Sequence, residues 1–124
     1  MITVLIDFGI ELFQNSTISF FTDNQVIDKN IKLPVYWNRQ LLLLFKEAMT
    51  NALKHSKANK ISLQIKFTDN FLMISLQDNG KGFDDTMIKR KNGIINMFKR
   101  ASKIEGLLEI ESSSGTKLTF TGKV

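Results

Sequence analysis

The 124-residue chain contains no cysteine, one proline and one histidine, His55. The missing cysteines exclude a disulfide scaffold, a thiol nucleophile, a zinc finger and an iron–sulfur centre. A single histidine cannot assemble a His-rich metal site, and any Ser-His-Asp hydrolase would have to use His55 itself. No apolar run approaches the roughly 18 residues needed to span a bilayer. The apolar start, Met1–Phe13, is interrupted by Asp7 and Glu11. It has no basic leader and no small-residue cleavage site, so it does not read as a secretory signal. The expected location is the cytoplasm, with no membrane contact by this domain.

What is present is ordinary for one soluble domain: 43% hydrophobic and 23% charged residues, on a chain long enough to bury a core without staples. The 17 basic and 12 acidic side chains leave a net charge of +5. The basic residues are dispersed except for Lys89-Arg90-Lys91, followed by Lys99, Arg100 and Lys103. No aromatic side chains interleave with that run as a base-stacking platform requires. It reads as a solvated loop and helix face, and no nucleic-acid partner is expected.

Hydrophobic spacing predicts a helix over 2–13 (Ile2, Leu5, Ile6, Gly9, Phe13) and a strand at Thr17–Thr22. A second short strand at Ile31–Leu33 would end at Pro34. The longest helix is expected at Tyr36–His55, with Leu41, Leu44, Phe45, Ala48 and Ala52 facing the core. Lys60–Thr68 alternates, with Ile61, Leu63, Ile65 and Phe67 inward, and Phe71–Gln77 follows across an Asp69-Asn70 turn, the pattern of a hairpin. Gly93–Ile104 is read as a helix with Ile94, Met97, Phe98 and Ala101 on one face. Leu107–Glu111 and Thr116–Gly122 are read as strands paired across Ser112–Gly115. The expected architecture is α/β (α+β): a two-layer sandwich of a mixed, largely antiparallel sheet with helices on one face.

Two clusters carry chemistry. Glu47, Asn51 and His55 are spaced four apart on the long helix, and Lys54 lies three beyond Asn51, so all share one side beside the apolar stripe. Such faces commonly do no more than solvate. An acid, an amide and two potential cations in a row also suit a polyanion with a metal, the Asn51 amide oxygen being a hard ligand for Mg²⁺. The second cluster, Asp78-Asn79-Gly80-Lys81-Gly82, follows a strand. Its glycines permit close backbone approach, and a carboxylate fixed there can accept a hydrogen bond from an exocyclic amine. Plain turns use the same residues. Neither a P-loop nor a Gly-x-Gly-x-x-Gly fingerprint occurs.

Taken in order, Glu47-x-x-x-Asn51-Ala52-x-x-His55, Asp78-x-Gly80-x-Gly82, Gly93-Ile94-x-Asn96-Met97 and Gly115-Thr116 resemble the four boxes of the ATPase superfamily of gyrase, Hsp90, histidine kinases and the mismatch-repair ATPases. The tail, Asn96-Met97 through Arg100-Ala101, Ile104, Gly106, Leu108-Glu109-Ile110, Ser112 and Gly115-Thr116, is most similar to sensor histidine kinases of the nitrate- and lipid-fluidity-sensor type. That resemblance implies the left-handed βαβ sandwich of the superfamily and a single ATP-binding catalytic domain over 1–124. The cofactors implied are ATP and Mg²⁺.

The resemblance also implies site roles. Asp78 would bind the adenine amino group with help from Thr116, next to Gly115. Gly80 and Gly82 would let the backbone wrap the nucleotide. Asn51 would ligate Mg²⁺, Glu47 would act beside the metal or its water, and Lys54 and His55 would approach the phosphates. Gly93, followed by Ile94, would open a helix whose N-terminal amides meet anionic oxygens, and Phe83–Asn92 would form a short lid over ATP. The second box has Lys91-Asn92-Gly93 where the subgroup has Gly-x-Gly, so Lys89–Lys91 could serve as a phosphate clamp or merely solvate.

With His55 inside the first box, the phosphate-accepting histidine must lie on another, dimerisation domain. A response regulator would be engaged only indirectly, and the isolated domain is expected to be monomeric. The parent protein could still be anchored in a membrane. Two alternatives stay open: an anti-sigma-factor-type protein-serine kinase of the same superfamily, and a non-catalytic nucleotide- or nucleic-acid-binding module.

Overall fold

The computed structural model describes residues 1–26, 32–80, 91–112 and 114–124, the side chains of Lys91 and Asn92 excepted. Its elements run α1 (Ile2–Phe13), β1 (Ser19–Asn24), α2 (Val35–His55), β2 (Lys60–Thr68), β3 (Phe71–Asp78), α3 (Lys91–Lys103), β4 (Leu107–Ser112) and β5 (Thr116–Lys123). The five strands form one sheet in the order β1-β2-β3-β5-β4. β1 pairs parallel with β2, and the other neighbours pair antiparallel. The sheet is therefore mixed and largely antiparallel, as expected, with the parallel edge produced by the long β1–α2–β2 crossover.

Alternation decides which sheet face is covered. Ile61, Leu63 and Ile65 of β2, Leu72, Ile74 and Leu76 of β3, Leu118 and Phe120 of β5, and Leu108 of β4 are buried. They meet Leu41, Leu44, Phe45, Met49 and Ala52 of α2, with Leu5 and Phe13 of α1 and Met97 and Ala101 of α3. Each large apolar side chain removed from water in this way contributes roughly 1.5–3 kcal/mol before entropy is counted. α2 sits at the centre, packing against α1, α3 and β3. Among the described residues, no helix is long and apolar enough to cross a membrane.

The β2–β3 hairpin turns on Asp69 and Asn70, at φ 54 and 65. Two consecutive left-handed residues give the turn whose twist matches the strands it joins. Two residues past the end of α3, Glu105 lies in the same region (φ 55), and the Gly106 N–H donates back to the Ala101 carbonyl at 2.9 Å. Gly106 itself is needed for space, since a Cβ there would overlap the Phe120 ring.

Four expectations require correction. The first strand begins at Ser19 rather than Thr17, because Ser16 turns the chain there: its Oγ accepts from the Ile18 N–H at 3.1 Å and donates to the Phe13 carbonyl at 2.8 Å. The short strand expected at Ile31–Leu33 is not seen at Lys32 or Leu33, and Ile31 lies outside the described residues. Leu33 packs half-buried against the core, and Pro34 at once caps α2. Phe98 does not share the buried face of α3 and stays 42% exposed, while Ile104, at 3%, completes that face with Met97 and Ala101. Finally, α3 begins at Lys91, so the last two residues of the expected lid belong to a helix. The rest of the lid, 83–90, lies outside the described residues.

Candidate functional site

The strand β3 delivers Asp78 to the rim of the sheet, opposite Ile61 of β2 and Thr116 of β5. Its Oδ1 accepts hydrogen bonds from the N–H of Gly80 at 2.9 Å and, more weakly, from the N–H of Thr116 at 3.4 Å. Burial of the half-covered carboxyl pushes its pKa above the ordinary 3.8, and the two backbone donors pull only partly the other way. The carboxylate is thus fixed by main chain from the loop after β3 and from β5 and is incompletely solvated, so it gains from a donor brought by a ligand.

The glycines around Asp78 are dictated by crowding. Gly115 has φ 140, and a Cβ there would overlap the Asp78 carbonyl oxygen. A Cβ on Gly80 would overlap the Ser56 carbonyl oxygen, directly after the last residue of α2. Gly80 therefore presses the loop after β3 against the end of the helix that carries the polar stripe, a more specific need than general freedom of the backbone. Gly82 lies outside the described residues, as do Lys89 and Arg90 of the proposed clamp.

Along α2, Glu47 and Lys54 are exposed and Asn51 and His55 half-buried. They share one side of the helix, and α3 crosses in front of that side. Gly93, in the first turn of α3, is where the two helices approach: a Cβ there would stand 3.1 Å from Glu47 Oε1 and 3.8 Å from Asn51 Nδ2. The structure thus brings Gly93 of the second glycine box onto the α2 stripe, as the third residue of its helix rather than the first, whereas Gly80 of the first box meets only Ser56, just past the end of α2. Ile94 packs half-buried against the core. Beyond Glu47 a groove of about 250 Å³ continues between α2 and α3, with Lys46 and Arg100 on its walls. Arg100 is tethered there by donating to the buried Gln40 Oε1 at 3.3 Å.

Sequence reasoning missed the residues that hold this frame. Ser56 closes α2 by donating to the Ala52 carbonyl at 2.6 Å and accepting from the Ala58 N–H at 3.1 Å, and Lys57 then turns through φ 54. Asn79 bonds to Asn59 and Lys60 at the start of β2. A serine at the end of a helical pattern and an asparagine inside Asp-Asn-Gly are common turn residues, and nothing in their local sequence separates a turn from a clasp.

Metal chemistry can be tested on the donor set. Among the described residues, no group of three or more His, Cys, Asp or Glu side chains gathers at one point. Glu47 and Asn51 bring one carboxylate and one amide side chain to Gly93, the amide turning its Nδ2 to that side. So sparse a set fits an octahedral Mg²⁺ that takes its other ligands from phosphates and water, and does not fit an all-protein cage.

Residues 38–123 match the family described as histidine kinase-, DNA gyrase B- and HSP90-like ATPase. The chain is 38% identical over 79 residues to the signal transduction histidine-protein kinase/phosphatase DegS of Bacillus subtilis, covering 60% of this chain and 20% of DegS. It is 33% identical over 93 residues to the sensor protein VraS of Staphylococcus aureus, covering 73% of this chain and 27% of VraS. The match therefore spans only about a fifth to a quarter of these relatives' length.

Among solved structures, the fold is shared with the histidine kinase domain of the blue-light-activated kinase of Erythrobacter litoralis, at TM-score 0.76 and 16% identity over 96% of this chain and 57% of that one. It is shared equally with the catalytic domain of the histidine kinase ThkA, at TM-score 0.76 and 14% identity over 98% of this chain and 92% of that one. The chain belongs to the histidine kinase-, DNA gyrase B- and HSP90-like ATPase family, as an ATPase domain of the histidine-kinase type.

Proposed function

We propose that this domain binds Mg-ATP and donates its γ-phosphate to a histidine on a separate dimerisation domain of a two-component sensor kinase. The observation that carries the reading is the convergence of α3 on the α2 stripe at Gly93, beside Glu47 and Asn51, while Gly80 locks the Asp78 loop to the end of the same helix. A fixed carboxylate for a base and a polar helix side for a polyphosphate are thereby joined through α2.

In this reading Asp78 accepts a hydrogen bond from the exocyclic amine of adenine, with Thr116 alongside and Gly115 giving the loop its room. Asn51 would hold the Mg²⁺, and Glu47 would act beside it to orient a water or the reacting oxygen. Lys54 and His55 offset phosphate charge, and the first-turn amides of α3 at Gly93 and Ile94 face the anion. Gly82 and the Lys89–Lys91 run belong to the same proposal. A metal held by Asn51 would supply positive charge to offset that of the phosphates. The residues of this chain otherwise bind, orient and exclude water, which is the protein's main task in phosphoryl transfer. The dimerisation domain and a response regulator downstream of it are the partners that follow.

Histidine-kinase relatives favour a histidine acceptor over the serine of an anti-sigma-type kinase. The test is incubation with γ-labelled ATP and the parent protein's helical domain. Acid-labile, base-stable label on that domain is expected. Acid-stable label, or none on a domain that folds and dimerises, would overturn the assignment.

A further inference from the structure

The loop that aims Asp78 has an unusual fastening. In an unbroken antiparallel ladder the Ile61–Asp78 pair would be followed by Lys60–Asn79, with each residue donating its N–H to the other's backbone carbonyl. Half of that pattern exists: the Asn79 N–H donates to the Lys60 carbonyl at 3.2 Å. The other half is made by a side chain. Asn79 Oδ1 accepts the Lys60 N–H at 3.0 Å and the Asn59 N–H at 3.1 Å, while Nδ2 donates to Asn59 Oδ1 at 2.6 Å. Two main-chain donors on one atom identify that atom as the amide oxygen.

The substitution of side chain for main chain has a geometric consequence. The ladder closes at Lys60 without using the Asn79 carbonyl, so the backbone leaves the sheet one residue early. It then turns so that the Gly80 N–H comes back onto Asp78 Oδ1 at 2.9 Å and Gly80 meets the Ser56 carbonyl. The orientation of the Asp78 carboxylate thus depends on Asn79. Asn79, Asn59 and Lys60 are all exposed, so water can replace the three bonds if Asn79 is shortened.

We propose that Asn79 is a positioning residue for base recognition: its side-chain clasp on the start of β2 sets the Asp78 carboxylate toward an exocyclic amine and so sets the preference for adenine over guanine. The inference rests on the nucleotide reading above. Adenine presents an amine where guanine presents a carbonyl oxygen, which a correctly aimed carboxylate repels. Loosening the clasp weakens ATP and spares GTP.

The test is calorimetric titration of the 124-residue chain with Mg-ATP and with Mg-GTP, for wild type, Asn79→Ala and Asn79→Asp, with thermal melting alongside. Asn79→Ala should raise the Kd for ATP about tenfold and shrink the ATP-to-GTP preference by about the same factor, the scale of one well-placed hydrogen bond to a charged group. Asn79→Asp keeps an oxygen for both main-chain donors, and the Asn59 amide can flip to meet it, so it should return to within about threefold of wild type. Should Asn79→Ala fail to fold, Asn79→Gln, whose oxygen is displaced by one methylene, carries the same expectation. Equal losses for ATP and GTP, or none, would assign Asn79 to the fold alone. A wild type that binds neither nucleotide would overturn the nucleotide reading and this proposal together.

Discussion

The Asp78 carboxylate is held directly by main-chain donors, with one side-chain clasp at Asn79 behind it, whereas along α2 the groups that face a ligand are all side chains. Asp78 is held by the N–H groups of Gly80 and Thr116, and its surroundings leave no room for a Cβ at Gly80 or Gly115. Glu47, Asn51, Lys54 and His55 sit on a regular helix that would form with other residues in their places, because its stability comes from the buried stripe of Leu41, Leu44, Phe45, Ala48 and Ala52. Gly80 and Gly115 of the first region cannot take a side chain without disturbing the fold. The second can be altered with little effect on anything except what it binds.

The sharpest way to break that comparison is a methyl group in each region. Gly115→Ala forces a side chain into φ 140 and against the Asp78 carbonyl, and should destabilise the domain by about 3 kcal/mol in urea unfolding. Gly93→Ala meets only the end of the Glu47 side chain, which can swing away. Inside a helix it should raise stability by up to about 1 kcal/mol while weakening Mg-ATP binding, so its two readouts move in opposite directions. A destabilising Gly93→Ala would mean that the α2–α3 contact is part of the packed frame after all.

The smallest effect is the pH dependence of Asp78. Its folded pKa lies above the ordinary 3.8 because burial penalises the charged form. The stability it contributes is therefore fully present below that ordinary value and is lost as pH rises through the folded one. Asp78→Asn keeps an oxygen for both backbone donors and cannot ionise. In chemical denaturation without nucleotide, the variant should gain on wild type as pH climbs above 3.8. A variant that instead loses ground with rising pH would place a cation beside the carboxylate and reverse the sign of its environment.

The α2 region was legible in the sequence because helix periodicity converts spacing directly into geometry: Glu47, Asn51 and His55 could only share a side. Strands β2 to β5 were legible for the same reason, in alternation, and so was the hairpin at Asp69-Asn70. The frame at Asp78 was much less so. Gly80 meets Ser56, Asn79 meets Asn59 and Lys60, and Asp78 meets Thr116, all contacts between residues far apart in the chain. Asp-x-Gly-x-Gly could be read as a site, but the crowding that requires Gly80 is a product of tertiary packing. Phe98 was misjudged on the same account, since an apolar residue at the margin of a helical stripe is placed by its neighbours and not by its own spacing.

The central claim is that a carboxylate fixed by main chain and a polar helix side together hold Mg-ATP. Thermal unfolding with and without millimolar Mg-ATP, on wild type and Asp78→Asn, tests it most directly. Ligand at a hundredfold excess over its Kd adds about 2.7 kcal/mol, so wild type should melt higher by about 10 °C and Asp78→Asn should show no shift. An unshifted wild type, or an equal shift in both proteins, would contradict the account.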